Sequence, residues 1–501
     1  MDNTLANSSN IFKLKWRFFT YRIVSYFSFL LIPVYVQKGL ELRPIALAAL
    51  MTLYILFIVS QWFLLGKEID HRLKIYFRVN SSIDRVVYRL FLGMFFFILL
   101  FNIINFLDSK WVYNSYWITW AVLGLFYSWP TRGKIIQESV SSNFGEFKFL
   151  DRFEKTLVAL ILLMFVFSVP ELPPIANVDM LKLYFDPLEK IGNPFWNFMV
   201  VNFYPFKTYP GLFRLAWSLH FYIVGMGLFL LVFYAFLRFF VSRRLSLLGA
   251  FAVISSWSFS KTLVSNVEFS FLTTYSLIWI WTLLWVTKSS TYRAGLFLGL
   301  VSYWGALINY TYGVLAFFQI GFLYFFFLKD RTSWYKRQLL RYALFGIALT
   351  LLHLFTHLDM LESFHSLDFS FLKNVAREID RKGFYVLGVF GLVIALIKTY
   401  STKTTKIMKD FQIEQQSLNI VLMSYFVFIA ISLFWDNSLV NGFSTIWALA
   451  FLSLIPLELI FQSISRLRSK RNMIYVIYIL ICLLDSHFEG RVKLFIKIFN
   501  S

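Results

Sequence analysis

Long apolar runs alternate with short polar loops along the whole chain. Most runs approach the roughly 20 residues that a helix needs to cross the approximately 30 Å hydrocarbon core of a bilayer. A chain in lipid must satisfy its own backbone hydrogen bonds, so runs of this length predict helices. The predicted spans are 23–37, 45–65, 88–107, 112–128, 156–170, 216–237, 246–259, 268–287, 294–308, 312–328, 342–357, 384–397, 418–435, 443–462 and 473–484.

The pattern therefore predicts an all-α polytopic membrane protein with about 13–15 transmembrane helices. Two segments between spans, 171–215 and 358–383, are amphipathic and charged, and we expect them on the outer face of the membrane. The basic stretch 129–155 is predicted to be a cytoplasmic linker. It divides an N-terminal four-helix unit, 1–128, from a larger membrane unit, 156–501.

Composition supports a membrane environment and narrows the chemistry. Hydrophobic residues make up 58% of the chain, which includes 61 Phe, and the mean hydropathy is +0.65. The single Cys482 excludes an intramolecular disulfide and any cysteine-based metal site. No P-loop, dinucleotide fingerprint or Gly-rich phosphate cradle occurs. We therefore expect no cofactor, and a divalent metal stays open without being indicated.

Positive charge is concentrated on alternate loops. The N-terminus and seven of these loops hold 33 of the 48 Lys and Arg residues. These loops are 66–89, 129–155, 238–244, 288–293, 329–341, 398–416 and 463–472. By the positive-inside tendency we expect them, and the N-terminus, in the cytoplasm. Topology and anionic headgroups then account for the net charge of +21 and the pI of about 9.8, so no nucleic-acid partner is implied.

Several ionisable residues border the predicted outer ends of spans. They are Asp179, Asp186, Lys207, Arg214, Lys261 and Glu268. Charged groups cost several kcal/mol when immersed in lipid, so their recurrence at one membrane edge calls for an explanation. Each taken alone is explained by an interfacial charge that reaches into water. Their order along the chain supports a shared site.

That order resembles the C-type integral-membrane glycosyltransferases, particularly the protein O-mannosyltransferase and aminoarabinose-transferase branch, over about residues 155–485. The segments that carry the resemblance are VDMLKLYFD, YPFKTYPG, FRLAWSLHFYIVG, RFFVSRRLSLLGA and AGLFLGLVSYWGALINYTYG. Lys261 and Glu268 match a basic–acidic hairpin of the family. The chain departs from the family at Asp179-Met180, where an Asp-Glu pair is usual, and at Lys207, which lacks the following Pro-Pro.

The resemblance implies that a sugar passes from a polyprenyl-phosphate carrier to an acceptor at the outer face. Asp179 would be the catalytic base, and Asp186, Lys207, Arg214, Lys261 and Glu268 would bind substrate. A lipid-linked donor arrives by lateral diffusion, which agrees with the lack of a nucleotide-binding motif. The expected partners are membrane lipids and the lipid-linked sugar, and the expected location is the bacterial cytoplasmic membrane.

Two other functional classes stay open. A transporter or flippase would use ionisable groups within the spans, for which Glu458 in LIPLELIF is the main candidate. A non-catalytic relative of the transferases, acting as an assembly partner, is compatible with Met180 in place of the family's Glu. The segment LGLFYSWPTRGK is also similar to intramembrane prenyltransferases. Their two Asp-rich Mg²⁺ motifs are missing, however, since Glu68 and Asp70 lack the required spacing.

Overall fold

The protein is described by a computed structural model. The residues that it describes are 16, 19–38, 44–73, 82–107, 109–128, 149–168, 202, 219–256, 267–289, 291–308, 310–327, 333–355, 383–400, 413–434, 438–464, 470–484 and 486–500. Helices dominate these ranges, which contain no strand. The all-α prediction is confirmed for this part of the chain.

The helices follow the apolar runs closely, and every predicted span overlaps at least one of them. They are α1 (Ile32–Lys38), α2 (Pro44–Leu73), α3 (Ser82–Leu107), α4 (Ser109–Ser128), α5 (Arg152–Ser168), α6 (Gly227–Leu237), α7 (Arg243–Ser255), α8 (Val267–Lys288), α9 (Ala294–Ile308), α10 (Leu315–Phe327), α11 (Ser333–Phe355), α12 (Gly383–Tyr400), α13 (Gln415–Phe434), α14 (Ser438–Ser463), α15 (Arg471–Leu484) and α16 (Phe488–Asn500). A π-helical segment, Phe221–Met226, precedes α6, and a 3-10 helix, Tyr310–Val314, precedes α10.

Two stretches of the described helices are long and apolar enough to cross a bilayer, judged by length and composition. They are Ala46–Leu73 in α2, with 28 residues, and Trp334–Phe355 in α11, with 22 residues. Eight further apolar helices have 10–17 residues within the described ranges. The predicted number of transmembrane helices is therefore not established by helix length alone.

Contacts between Cα atoms divide the chain into two compact units, each built from separate stretches of sequence. Unit 1 comprises Met1–Arg72, Tyr88–Phe149 and Pro174–Ile223. Unit 2 comprises Leu73–Val87, Leu150–Pro173 and Val224–Ser501.

Unit 1 contains a close crossing of α2 and α3. A Cβ atom on Gly66 would collide with the carbonyl oxygen of Arg89, and one on Gly93 would collide with that of Trp62. The missing side chains therefore allow the two backbones to touch. One turn beyond this crossing, Arg89 donates from Nε to Asp70 Oδ2 at 2.8 Å, which joins the same two helices by an ion pair.

Unit 2 is built around α7 and α8, whose residues 245–255 and 273–286 are all buried. Helix α8 packs against α6, α9, α13 and α14. Both α7 and α8 are apolar on every side, which is the pattern of a helix enclosed by other helices rather than of one at a water surface.

Glycines bring two pairs of helices in unit 2 into backbone contact. Gly295 and Gly299 of α9 lie against the backbone of α11, where Gly299 faces Gly346. Gly388 and Gly391 of α12 lie against the carbonyl oxygens of Leu449 and Leu452 in α14. These glycines cannot gain a Cβ atom without moving a neighbouring backbone. The glycines of AGLFLGL thus have a packing role.

Apolar stripes cover the outward faces of two helices of unit 2. On α12 the exposed residues follow helical spacing at Val386, Val389, Phe390, Val393 and Ile397. On α15 the exposed large apolar residues are Met473, Val476, Ile477, Leu480 and Leu484. In both helices the opposite side is buried within the unit. The arrangement reverses that of a soluble amphipathic helix, which turns its polar side outward.

One end of unit 2, here called the charged end, gathers residues from the loops that carry the excess of Lys and Arg. Its contacts join Asp151 to Arg244, Arg244 to Asn472, Ser242 to Glu458, Lys288 to Phe239 and Glu414, Ser289 to Tyr335, and Arg293 to Leu73. These pairs connect loops predicted from charge alone to share one side of the membrane. The structure thus brings these loops together at one end of unit 2.

Candidate functional site

The residues predicted to carry the chemistry lie largely outside the described residues. Those that lie outside are Asp179, Asp186, Lys207, Arg214 and Lys261. Glu268 belongs to the first turn of α8, where the structure describes the backbone. The described helices next to these residues are α5, α7 and α8.

Helices α5 and α7 lie side by side and run in the same direction. Contacts relate their N-termini to each other and their C-termini to each other. At their N-termini, Glu154 accepts both Nε and Nη2 of Arg243, each at 2.7 Å. The Glu154 side chain is 3% exposed, so the acidic partner of this bidentate pair is shielded from water. Two parallel hydrogen bonds fix the relative orientation of the two side chains and also strengthen the contact.

The N-terminus of α5 is also capped by its own residues. The Asp151 side chain accepts the Glu154 backbone N–H at 2.8 Å, and Glu154 Oε2 accepts the Asp151 backbone N–H at 2.9 Å. This reciprocal arrangement is a capping box. The Glu154 N–H and the guanidinium of Arg244 together hold the pKa of Asp151 below its ordinary value. The same carboxylates thus start α5 and bind it to α7.

At the other ends of α5 and α7, a residue from far along the chain joins the two helices. Arg491 of α16 donates from Nη1 to Ser168 Oγ at 3.1 Å and to the Ile254 carbonyl oxygen at 3.4 Å. Ser168 is the last residue of α5, and Ile254 lies in the last turn of α7. The C-terminal ends of α5 and α7 are therefore neighbours within unit 2.

The backbone of Glu268 lies at the end of α8 that is remote from the charged end. The last residue of α8, Lys288, lies at the charged end, where its Nζ is 3.2 Å from Glu414 Oε2. Helix α8 has 22 residues, which corresponds to roughly 30 Å at 1.5 Å per residue. Its first turn, with Glu268, is therefore far from the charged end.

The structure gives two other acidic residues local roles. Glu458 accepts hydrogen bonds from the Ser242 backbone and from Gln462 Nε2, the latter at 2.9 Å. It therefore belongs to the charged end and not to the middle of a helix. Asp70 of unit 1 accepts Arg89 Nε, and this structural pairing accounts for it without a diphosphate site.

Metal chemistry finds no support among the residues that the structure describes. They contain no group of three or more His, Cys, Asp and Glu side chains that could hold a metal ion. His353, in the last turn of α11, contacts the Tyr303 ring edge-on at 6.3 Å between centroids.

Two features of this region were missed by sequence reasoning. The capping box at Asp151 and Glu154 carries a recognisable signal, an Asp followed three residues later by Glu before an apolar run. Arg491 carries none, because its importance comes from burial against residues that precede it by more than 200 positions.

Comparison with known proteins identifies no relative of this chain. No protein-family model, no curated protein and no solved structure matches it.

Proposed function

We propose that this chain is a polytopic membrane protein. Support comes from the exposed stripes on α12 and α15, where large apolar side chains cover the surface that a soluble protein would make polar. Further support comes from the glycine crossings at Gly66–Gly93 and Gly299–Gly346. Small residues at helix interfaces are typical in lipid, where close backbone packing replaces the hydrophobic effect between helices.

Reporter fusions test the membrane topology. Fusions in 66–89 and 329–341 are expected to report the cytoplasm, since both loops are rich in Lys and Arg. Fusions near 185 and 370 are expected to report the opposite side. A reporter placed after residue 500 should agree with these two, because α16 contacts α5 and α7 away from the charged end. A cytoplasmic signal near 185 would contradict the proposed topology.

We propose further that the protein transfers a sugar from a polyprenyl-phosphate carrier to an acceptor at the outer face. The observation that carries this proposal is the parallel pairing of α5 and α7, fixed at one end by Glu154 and Arg243 and at the other by Arg491. The segment towards Asp179 follows α5, and the hairpin with Lys261 follows α7. Glu268 lies in the first turn of the next helix, α8. This common origin supports the shared site that the order of these residues predicts.

The proposed reaction needs a base and a cationic environment. A carboxylate at Asp179 would take the proton of the acceptor as its oxygen bonds to the anomeric carbon of the sugar. The bond between that carbon and the phosphate oxygen breaks, and the electron pair leaves with the polyprenyl phosphate. Lys207, Arg214 and Lys261 would stabilise this anion, an electrostatic effect that is strong where water is excluded. Asp186 and Glu268 would hold hydroxyl groups of the sugar.

The position of Glu458 bears on the transporter alternative. Coupling ions in secondary transporters bind near the middle of the membrane. Glu458 instead shares the charged end with Ser242, Arg244 and Arg471, so it offers no support for coupling.

The identity of copurified lipid tests the proposed carrier. Protein purified in mild detergent should retain a polyprenyl phosphate, with or without sugar, detectable by mass spectrometry of extracted lipid. A variant with Lys261→Met and Arg214→Met should retain much less, because both cations are proposed to bind the phosphate. Equal amounts of ordinary phospholipid and no polyprenyl phosphate in either preparation would count against the transferase proposal.

A further inference from the structure

A groove of about 850 Å³ lies at the corner between α15 and α16, within unit 2. One wall comes from the end of α15 and is apolar, and the other comes from the start of α16 and is polar. The residues that line it include Leu480, Leu483, Leu484, His487, Glu489 and Lys493. A surface that joins an apolar wall to a charged wall suits an amphipathic ligand.

The apolar wall continues the exposed stripe of α15. Leu480 and Leu484 belong to that stripe, and they are 53% and 85% exposed. In the proposed membrane location the stripe contacts lipid chains, so the groove opens sideways onto the hydrocarbon. A phospholipid can therefore enter the groove from the bilayer while its acyl chains stay on the stripe.

The charged wall is an ion pair on α16. Lys493 Nζ lies 2.5 Å from Glu489 Oε1, one helical turn away, and the two side chains are 74% and 82% exposed. An ion pair this exposed adds little to stability, so its presence is not explained by folding. An ammonium has three donors and a carboxylate accepts several hydrogen bonds. Each group can therefore bind a ligand while it keeps its partner.

Helix α16 is anchored from the side opposite this ion pair. Arg491 is 1% exposed, and its Nη1 donates to Ser168 Oγ at 3.1 Å and to the Ile254 carbonyl oxygen at 3.4 Å. Two residues along a helix correspond to a rotation of about 200° around its axis. Arg491 is two residues from Glu489 and from Lys493, so the anchor points away from both. The buried arginine thus fixes α16 with its ion pair on the outer side.

The corner before α16 adds a histidine to the groove. The Ser486 N–H donates to the Leu483 carbonyl oxygen at 3.1 Å, and the Arg491 N–H donates to the His487 carbonyl oxygen at 3.2 Å. Between these contacts His487 has a φ of 49°, in the left-handed region that histidine enters more readily than most residues. An imidazole has an N–H donor in either tautomer, so His487 brings a donor beside the charged wall.

We propose that this groove, called here the headgroup groove, binds an aminophospholipid, whose headgroup carries both a phosphate and a primary ammonium, as in phosphatidylethanolamine. The phosphate accepts hydrogen bonds from Lys493 and His487, and the ammonium donates to Glu489. The acyl chains lie along Leu480 and Leu484. This inference rests on the proposed membrane location, and it does not depend on sugar transfer.

The paired charges distinguish this headgroup from those of other phospholipids. Phosphatidylglycerol has the phosphate without the ammonium, so the Glu489 carboxylate repels it. Phosphatidylcholine has a positive charge, but its methyl groups offer no N–H donor to that carboxylate. A headgroup with an anion and a hydrogen-bonding cation is complementary to both Lys493 and Glu489.

The test is a lipid titration of the full chain. Protein delipidated in mild detergent is titrated with phosphatidylethanolamine, phosphatidylcholine and phosphatidylglycerol of matched chain length, and bound lipid is counted by native mass spectrometry. Phosphatidylethanolamine should bind about tenfold more tightly than the other two, the usual size of a hydrogen bond to a charged group. Equal affinity for all three lipids would overturn the proposal.

Two charge variants test the assigned contacts. Glu489→Gln should remove the preference for phosphatidylethanolamine over phosphatidylcholine, because the ammonium loses its carboxylate. Lys493→Met should weaken both lipids by about tenfold, because both carry the phosphate. Lys155→Met is the control, since Lys155 is an exposed lysine in the first turn of α5, away from the groove, and it should bind as wild type. An unchanged lipid preference in Glu489→Gln would refute the assignment.

A glycine in the groove allows a steric test that keeps every charge. Gly490 lines the groove, and an added Cβ atom there would meet no other heavy atom within 4 Å, apart from its own helix and its chain neighbours. Gly490→Trp should fill the groove and abolish the preference for phosphatidylethanolamine, whereas Gly490→Ala should keep it. A preference that survives Gly490→Trp would place the lipid elsewhere and overturn the proposal.

Extraction of membranes with alkaline carbonate separates this inference from the membrane proposal. Protein that stays in the membrane but shows no lipid preference would overturn the headgroup groove alone. Protein released by carbonate would overturn both, because the groove would then face water and not hydrocarbon.

Discussion

An Asp179→Asn protein is expected to fold and to bind the lipid-linked donor, yet to lose sugar transfer by about 10²–10⁴-fold. Asparagine is nearly isosteric with aspartate but is a very poor base, so it cannot take the proton of the acceptor. The measurement is single-turnover transfer from a polyprenyl-phosphate sugar in detergent or proteoliposomes, with donor binding followed separately. A fall in kcat without a rise in the donor Kd is the expected pattern.

Asp186→Asn provides the matched comparison. Asp186 is followed by Pro187, and a residue before proline is disfavoured in a helix, so we expect Asp186 at a turn with a smaller effect on rate. The competing explanation is that Asp179 only caps a short helix. Asparagine is also a good N-cap, so that explanation predicts full activity in Asp179→Asn. Full activity would therefore remove Asp179 from the catalytic assignment.

The second large effect is expected from Gly299→Ala, which should destabilise the contact between α9 and α11. A Cβ atom there would collide with the Ala343 carbonyl oxygen and lie 3.1 Å from the Gly346 Cα atom. Both obstacles are backbone, which cannot rotate away as a side chain can. Overpacking of this kind typically costs about 1–3 kcal/mol and sometimes more. Thermal unfolding in detergent, followed by helix content and by loss of monomer, measures the change.

Gly227→Ala and Gly321→Ala are the controls for this substitution. Neither position has another heavy atom within 4 Å of an added Cβ atom, apart from its own helix and its chain neighbours. Because alanine favours a helix by about 1 kcal/mol over glycine, both controls should be neutral or slightly more stable. Equal stability of all three variants would mean that α9 and α11 do not pack as described.

The apolar runs predicted where helices lie better than where they begin. Span 294–308 coincides with α9, whereas α2 continues past the predicted end at 65 to Leu73, and α7 begins at Arg243 rather than 246. Hydropathy reports the apolar part of a helix, but backbone hydrogen bonding continues through charged residues that find partners. Asp70 pairs with Arg89 in α2 and α3, and Arg243 pairs with Glu154 at the start of α7.

The packing between helices, and the contacts at the C-terminal ends of α5 and α7, could be predicted less well from the sequence. The glycines of α9 are visible in the sequence, but their partner Gly346 is not indicated by any spacing. Charge counting grouped the loops of the charged end, because every loop on one side shares the same electrostatic bias. The burial of Arg491 could not be predicted, because an arginine in an amphipathic segment has the same sequence pattern as an ordinary interfacial cation.

The distance in sequence between Arg491 and its acceptors has a consequence for biosynthesis. Arg491 leaves the ribosome 323 residues after Ser168 and 237 residues after Ile254. At translation rates of about 5–20 residues per second, more than about ten seconds pass between the synthesis of α5 and α7 and the synthesis of Arg491. During that interval their C-termini lack this ligand. Nascent chains halted before residue 486 should therefore show greater protease sensitivity after residue 168 than released chains do.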